Sequence, residues 1–297
     1  MPDILNAIFQ GIIQGVTEFL PVSSSGHLAI YQHFFSSSST SGAMFSVMLH
    51  LGTLFAVCLV YRKTIWALIV EFCRMISDIF KGKFSFKNMN IERRTIFMMI
   101  ISSAMLCTMF IPVGNGENIK DCIEKVSNQQ DYPQLLWIVG VMLLFTAVLM
   151  IAAHKITSDT SRKTRDCATV KDAVVIGLGQ ALAVFPGLSR SGTTTATALT
   201  LGLDKAYATQ YSFILSIPAV AAAALLEFKD AFETEGLGSI DWLPTIIGIV
   251  VAALIGIAAI KTFVWLIKKN RYIIFSYYCG IAGALVIIAS VIENVTK

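Results

Sequence analysis

Shifted against itself by 166 residues, the chain matches itself at its most polar apolar stretch. Residues 11–27, Gly-Ile-Ile-Gln-Gly-Val-Thr-Glu-Phe-Leu-Pro-Val-Ser-Ser-Ser-Gly-His, fall without a gap on residues 177–193, Gly-Leu-Gly-Gln-Ala-Leu-Ala-Val-Phe-Pro-Gly-Leu-Ser-Arg-Ser-Gly-Thr. Six positions are identical: Gly11/Gly177, Gln14/Gln180, Phe19/Phe185, Ser23/Ser189, Ser25/Ser191 and Gly26/Gly192. Ordinary residue frequencies give about one or two. The register persists where Phe45, Ser46 and Leu49 meet Tyr211, Ser212 and Leu215. The chain is a duplication, and its fold has to be built twice.

The setting of both copies is a lipid bilayer. Charged residues make up 14% of the chain and hydrophobic ones 55%, against roughly 25% charged in a soluble domain. Six stretches lack Asp, Glu, Lys and Arg over about the 20 residues a spanning helix needs: 43–61, 95–116, 132–153, 206–226, 242–260 and 272–292. The connecting segments alternate in Lys plus Arg: eight in 62–94, two in 117–131, five in 154–172, one in 227–241 and four in 261–271. By the positive-inside rule the first, third and fifth are cytoplasmic, which puts both termini outside. Residues 1–20 lack a basic leading region and a small-residue cleavage site, and are expected to stay in the mature protein.

Two regions remain, 4–35 and 173–203. Each enters and leaves on one side under the charge count, so each is expected to be a helical hairpin folded back within the membrane. Broken backbone at that depth is tolerated only against protein or a water-filled cavity. The expected fold is therefore all-α and polytopic, one membrane domain over 1–297. It divides into repeat 1 (1–155, hairpin 4–35) and repeat 2 (170–297, hairpin 173–203), each a re-entrant hairpin plus three transmembrane helices. Three spans per half invert the second half relative to the first. In such folds the site lies near the midplane, where the broken elements meet.

The two tips differ in chemistry. Gln14 and Glu18, four apart, share a helix face, Pro21 ends that helix, and Ser23, Ser24, Ser25 and Gly26 open the next, which carries His27. A carboxylate in hydrocarbon costs about 2.5–3.5 kcal/mol on insertion scales, so Glu18 reads as functional and partnered. The second tip has Val184 and Thr193 at those places and sets Arg190 opposite Ser24. Arg190 within Ser189, Ser191 and Thr194 suits an anion: a planar guanidinium among hydroxyls and amides. A bracing ion pair between Arg190 and Glu18 is the competing reading. His33, His50 and His154 lack a polar constellation in sequence and are expected to be structural.

Elsewhere, Ile65, Ile69, Phe72, Ile76 and Ile79 form one stripe of an expected interfacial helix over 64–80 on the inner leaflet, and 36–42 reads as a flexible connector. The six cysteines are scattered without a Cys-x-x-Cys pair, which argues against a metal cage or disulfide framework. The net charge of +4 is spread over loops and forms no nucleic-acid stripe.

Gln14-x-x-x-Glu18, the run Pro21-Val-Ser-Ser-Ser-Gly-His27 and Pro186-Gly-Leu-Ser-Arg190-Ser-Gly-Thr resemble the motifs of the bacterial undecaprenyl-pyrophosphate phosphatases, the BacA or UppP family. The likeness extends over nearly the whole chain. It implies an integral enzyme of the bacterial plasma membrane that removes the terminal phosphate of a C55 isoprenoid pyrophosphate during cell-wall glycan synthesis and lowers bacitracin sensitivity. A divalent cation, Mg2+ or Ca2+, is implied as cofactor, with Glu18 as its protein ligand. The matching positions imply Glu18 as a catalytic or metal-associated carboxylate, His27 and a serine of the 23–25 run as participants in phosphoryl transfer, and Arg190 as the pyrophosphate ligand; Gln14, Ser23, Ser25, Ser189, Ser191 and Thr194 are the residues expected around the substrate. Many relatives carry a second glutamate where this chain has Gln14, and a neutral amide weakens any two-carboxylate metal site. The implied partners are the lipid substrate and the bilayer, without nucleic acid; a homodimer is left open.

Three routes to phosphorus stay open: attack by a serine, by His27 itself, or by water activated by Glu18 and His27 beside a metal. The favoured route has Ser24 as nucleophile and His27, three residues on, as its base, with Glu18 placing metal or orienting His27. Broken helices in an inverted repeat also suit a lipid-phosphate flippase, the rival from another class. An ion channel is disfavoured because no ring of like charge or carbonyl-rich filter is evident.

Overall fold

The helices of the computed structural model follow the hydropathy pattern. It describes residues 3–35, 43–83, 89–114, 117–127, 136–157, 165, 167–234 and 241–296. The Ser-rich connector 36–42 lies outside them. The first hairpin is α1 (Asp3–Phe19) and α2 (Ser24–Phe35), followed by α3 (Ala43–Val60), α4 (Arg62–Phe80), α5 (Ile91–Ala104) and α7 (Leu136–Thr157). The second hairpin is α8 (Val170–Leu182) and α9 (Arg190–Thr200), followed by α10 (Lys205–Thr234), α11 (Trp242–Lys268) and α12 (Ile274–Thr296). Among the described residues five helices are long and apolar enough to cross a membrane, and a sixth is gained if the pair Met44–Val60 and Arg62–Phe80 counts as one broken span. The protein is an all-α, multi-pass membrane protein.

Two boundaries differ from expectation. The apolar stretch 95–116 stops being helical early: α5 tightens into a 3-10 turn over Met105–Phe110, and Pro112 opens a small hairpin, β1 (Pro112–Gly114) with β2 (Glu117–Asn118), before α6 (Ile119–Ser127). Proline removes the amide that the next turn needs. By contrast α11 runs on through Lys261 to Lys268, past the expected end at 260, because long basic side chains lie along apolar surface and put only their heads in water.

The bend of 83° between α3 and α4 lays α4 across the bundle. Its Leu68, Glu71 and Met75 are buried, while Trp66, Ile69, Phe72, Ile76 and Ile79 are exposed. Its apolar face is left outward beside buried Glu71, which is held by Arg93, the pattern expected of an interfacial helix.

Close helix crossings depend on glycine. In α1, a Cβ at Gly11 would sit 2.8 Å from the carbonyl oxygen of Gly248, and one at Gly15 2.7 Å from that of Ala252, so α1 lies backbone to backbone on α11. In α8, a Cβ at Gly177 would sit 2.5 Å from the Ser102 carbonyl oxygen of α5. Small residues permit such approach, and in a bilayer this packing replaces the missing hydrophobic drive. Gly11 and Gly177 are partners in the repeat, and they perform one task on corresponding helices.

Candidate functional site

Both hairpins turn at the same serine. Ser23 Oγ accepts from the Gly26 amide at 3.2 Å, and Ser189 Oγ accepts from the Gly192 amide at 3.1 Å. Each cap satisfies one orphan donor of the following helix. Each cap serine also meets the serine two residues on, Ser25 at 3.4 Å and Ser191 at 3.2 Å. The tips touch reciprocally: Gly26 packs on Gly187, and its repeat partner Gly192 packs on Pro21, the repeat partner of Gly187. Ser191 Oγ donates to the Leu20 carbonyl at 3.1 Å, tying the second tip to the backbone of the first. Reciprocal contacts of this kind are what a two-fold relation produces.

At this junction Glu18, buried, is the centre. One carboxylate oxygen, Oε1, pairs with the Arg190 guanidinium across the hairpins. The other, Oε2, accepts from Ser24 Oγ at 2.6 Å and from Gln14 Nε2 at 3.0 Å. A carboxylate has about four lone-pair sites, so a buried one can serve all three donors. His50 Nε2 stands 3.9 Å from the same Oε2. The Nδ1 of His50 is 2.8 Å from the Ser46 carbonyl; a carbonyl only accepts, so Nδ1 carries a proton and this bond fixes the ring with its Nε2 edge toward Glu18.

These groups border a cavity of about 560 Å³. Its polar wall comprises Glu18, Ser23, Ser24, Ser25, Ser189, Arg190, Gln180, His50 and Lys120. Its apolar wall comes from Leu106, Met109 and Phe110 of the 3-10 turn and the alanine-rich part of α10, Ala219 to Leu226. A polar end with an apolar flank of this size suits an amphiphile with an anionic head.

The expected site residues divide. Glu18, Gln14, Ser24 and Arg190 are joined by hydrogen bonds, and Ser23, Ser25 and Ser189 line the same cavity. Thr194 faces elsewhere, donating to the Arg190 carbonyl at 2.8 Å and bonding Ser212. The Ser24 to His27 pairing needs correction. His27 stacks on Tyr278 of α12, its Nε2 2.7 Å from the Tyr278 hydroxyl and its Nδ1 2.8 Å from the Ser23 carbonyl. Its ring is not part of the cavity wall, because three residues along a helix still separates two side chains by about 60° of rotation. Ser24 turns to α1 and His27 to α12.

Sequence reasoning missed His50, treated as structural, and Lys120, which lies in a connecting segment counted only for orientation. Nothing local marks His50, since α3 is apolar around it. The serine preceding it at 46 matches Ser212 in the repeat, and that register was the available signal.

A divalent metal was expected at Glu18. Among the described residues no three His, Cys, Asp or Glu side chains gather as a metal cage. Gln14 Oε1, however, is buried with no partner among the described residues, beside Glu18. One carboxylate and an amide oxygen suit a hard cation that takes its remaining ligands from phosphate and water.

Comparison with known proteins identifies the family. Residues 7–285 match the family described as bacitracin resistance protein BacA. An undecaprenyl-diphosphatase of Alkaliphilus metalliredigens is 38% identical over 287 residues, covering 96% of this chain and 98% of that protein. That of Bacteroides thetaiotaomicron is 39% identical over 286 residues, covering 96% and 98%. That of Methanosphaera stadtmanae is 37% identical over 296 residues, covering 98% and 100%.

Proposed function

The chain belongs to the bacitracin resistance protein BacA family, and from that we propose that it hydrolyses undecaprenyl diphosphate to undecaprenyl phosphate and inorganic phosphate. It is an integral membrane phosphatase, and in its family this activity recycles the lipid carrier of cell-wall glycan and lowers bacitracin sensitivity. The observation that carries the mechanism is Ser24 Oγ donating to Glu18 Oε2 at 2.6 Å, while Arg190 from the other tip holds Oε1.

The diphosphate enters between the tips with its lipid along the alanine wall of α10. Arg190 transfers from Glu18 to the phosphate oxygens, where a planar fork gives two charge-assisted bonds. Glu18, released from its counter-ion, takes the Ser24 proton. Ser24 Oγ then bonds to the terminal phosphorus as the bridging P–O bond breaks, and the lipid monophosphate leaves with the electron pair. Water attacks the phosphoserine, inorganic phosphate departs, and the proton returns to Ser24. Glu18 here takes the base role expected of His27. His27 instead holds the Ser23 carbonyl and so positions the turn that presents Ser24. A divalent cation would be held by Glu18 and Gln14 Oε1 together with substrate oxygens, and would neutralise charge gathering on the phosphoryl group.

We further read the two halves, 1–155 and 170–297, as an inverted repeat in one domain of a bacterial plasma membrane, with both termini outside. The 166-residue register and the reciprocal tip contacts support the repeat, and the alternating Lys and Arg counts support the orientation. Broken helices meeting in this way also suit lipid-phosphate transport. Phosphate release from the purified protein in detergent, with and without chelator, tests the hydrolase reading: release without a second compartment supports it, and none from a folded, metal-supplied protein overturns it.

A further inference from the structure

Gln180 is the repeat partner of Gln14, yet its surroundings are opposite. Gln14 spends its Nε2 on Glu18 at 3.0 Å. Four residues after Gln180 the chain has Val184 where the first repeat has Glu18. Gln180 is 2% exposed, and both Nε2 and Oε1 lack a hydrogen-bond partner among the described residues. It nevertheless forms part of the cavity wall, with Val184, Ser189 and Arg190 on its own hairpin and Ser24 and Glu18 on the other. Native proteins pair nearly all buried polar atoms, and a whole amide left unpaired asks for an explanation. A core position would be better filled by leucine or methionine, which carry no polar atom to desolvate.

We propose that Gln180 is a diphosphate-binding residue: its amide nitrogen donates to a non-bridging phosphate oxygen from the second hairpin, opposite the side on which Ser24 attacks. The amide oxygen accepts from a water on the same phosphate. A neutral donor suits this place. Arg190 already supplies the fixed positive charge there, and Lys120 lines the same cavity. A carboxylate at this position would repel the anion. The duplicated glutamine thus serves the base in one half and the substrate in the other. This proposal rests on the hydrolase reading above.

The test uses the full-length protein in detergent as wild type, Gln180→Met and Gln180→Leu, methionine keeping nearly the same length. Three quantities are measured: KM and kcat for a long-chain polyprenyl diphosphate, thermal midpoint without ligand, and the rise in that midpoint with inorganic pyrophosphate. A lost hydrogen bond to a charged group corresponds to about a tenfold to hundredfold weaker interaction. The expected result is a KM raised by that factor with kcat changed less, a much smaller rise with pyrophosphate, and an unchanged or higher midpoint without ligand. Wild-type KM and pyrophosphate protection in a folded variant overturn the proposal while leaving the hydrolase reading intact. A lowered ligand-free midpoint with protection retained makes the amide structural, and also overturns it. If wild type releases no phosphate yet pyrophosphate protects it and not Gln180→Met, the hydrolase reading fails and the anion site stands.

Discussion

The two hairpin tips are one scaffold carrying two chemistries. Their caps agree to about a tenth of an ångström, 3.2 Å at Ser23 and 3.1 Å at Ser189, and their glycines pack reciprocally. Yet the first tip bears Glu18, Ser24 and His27, and the second Val184, Arg190 and Thr193 in those places. Duplication kept what shapes the turn and released what faces the cavity. One backbone difference follows the chemistry: Ser23 has a φ of 69°, in the left-handed region, whereas Ser189 has −70°. A non-glycine residue held there costs roughly 1–3 kcal/mol and persists where the surroundings over-determine it. His27 bonds the Ser23 carbonyl at 2.8 Å, and Cys279 donates to the Pro21 carbonyl at 3.2 Å. The strained turn is the one that presents Ser24.

The contrast is tested most severely at the paired positions 24 and 190. Ser24→Ala should lower kcat by about a thousandfold or more, as loss of a nucleophile does, and quenched wild-type enzyme should carry acid-stable phosphate on serine; substantial turnover by the alanine variant would hand the attack to water. Arg190→Lys keeps the charge but not the fork, and should lower kcat/KM by about a hundredfold, comparable with losing one donor to a developing oxyanion. Wild-type turnover with lysine would reduce Arg190 to a point charge. If His27 positions the first tip, His27→Ala and Tyr278→Phe should each cost about tenfold in kcat, the worth of a hydrogen bond, and leave the acidic limb of the pH profile in place. Loss of that limb in His27→Ala would restore it as the base.

Two gentler tests address the scaffold. Gly177→Ala should destabilise the protein by about 1–3 kcal/mol through overpacking, and Gly11→Ala by somewhat less, since the corresponding clashes are 2.5 and 2.8 Å; denaturation in detergent reads both. Near the entrance to α8, Asp172 stands where the first repeat has Asn6. Burial pushes the Asp172 carboxyl up, but the Arg165 guanidinium at 2.8 Å and the Thr169 bonds outweigh it and hold the folded value below the ordinary range. The unfolded chain therefore takes up the proton first as pH falls. The associated stability is present above the unfolded pKa and is lost as pH drops through the folded one. Asp172→Asn should flatten the acid limb of thermal stability; an unchanged limb would show that other carboxylates set it.

Much of this is legible in the sequence alone. Charge-free stretches located the spans because a bilayer leaves few alternatives, and the repeat located the tips and set Arg190 opposite Ser24. Glu18 announced itself by its price in hydrocarbon. His27 misled because proximity along a helix does not fix the side to which a ring turns; Tyr278, 251 residues away, decides that. His50 was hidden because an apolar helix gives a lone imidazole no context until a second helix brings a carboxylate beside it. Gln180 was visible in the repeat, but that neither end of its amide has a partner among the described residues is seen only in the fold.

The pairing of Arg190 with Glu18 bears finally on how turnover ends. An anion that must displace an internal partner binds more weakly by the strength of that partner. Inorganic phosphate, the smaller product, has no lipid to hold it and must compete with a carboxylate already tethered beside the guanidinium. The protein thus carries its own eluent, and accumulating phosphate should be a poor inhibitor of the enzyme that makes it.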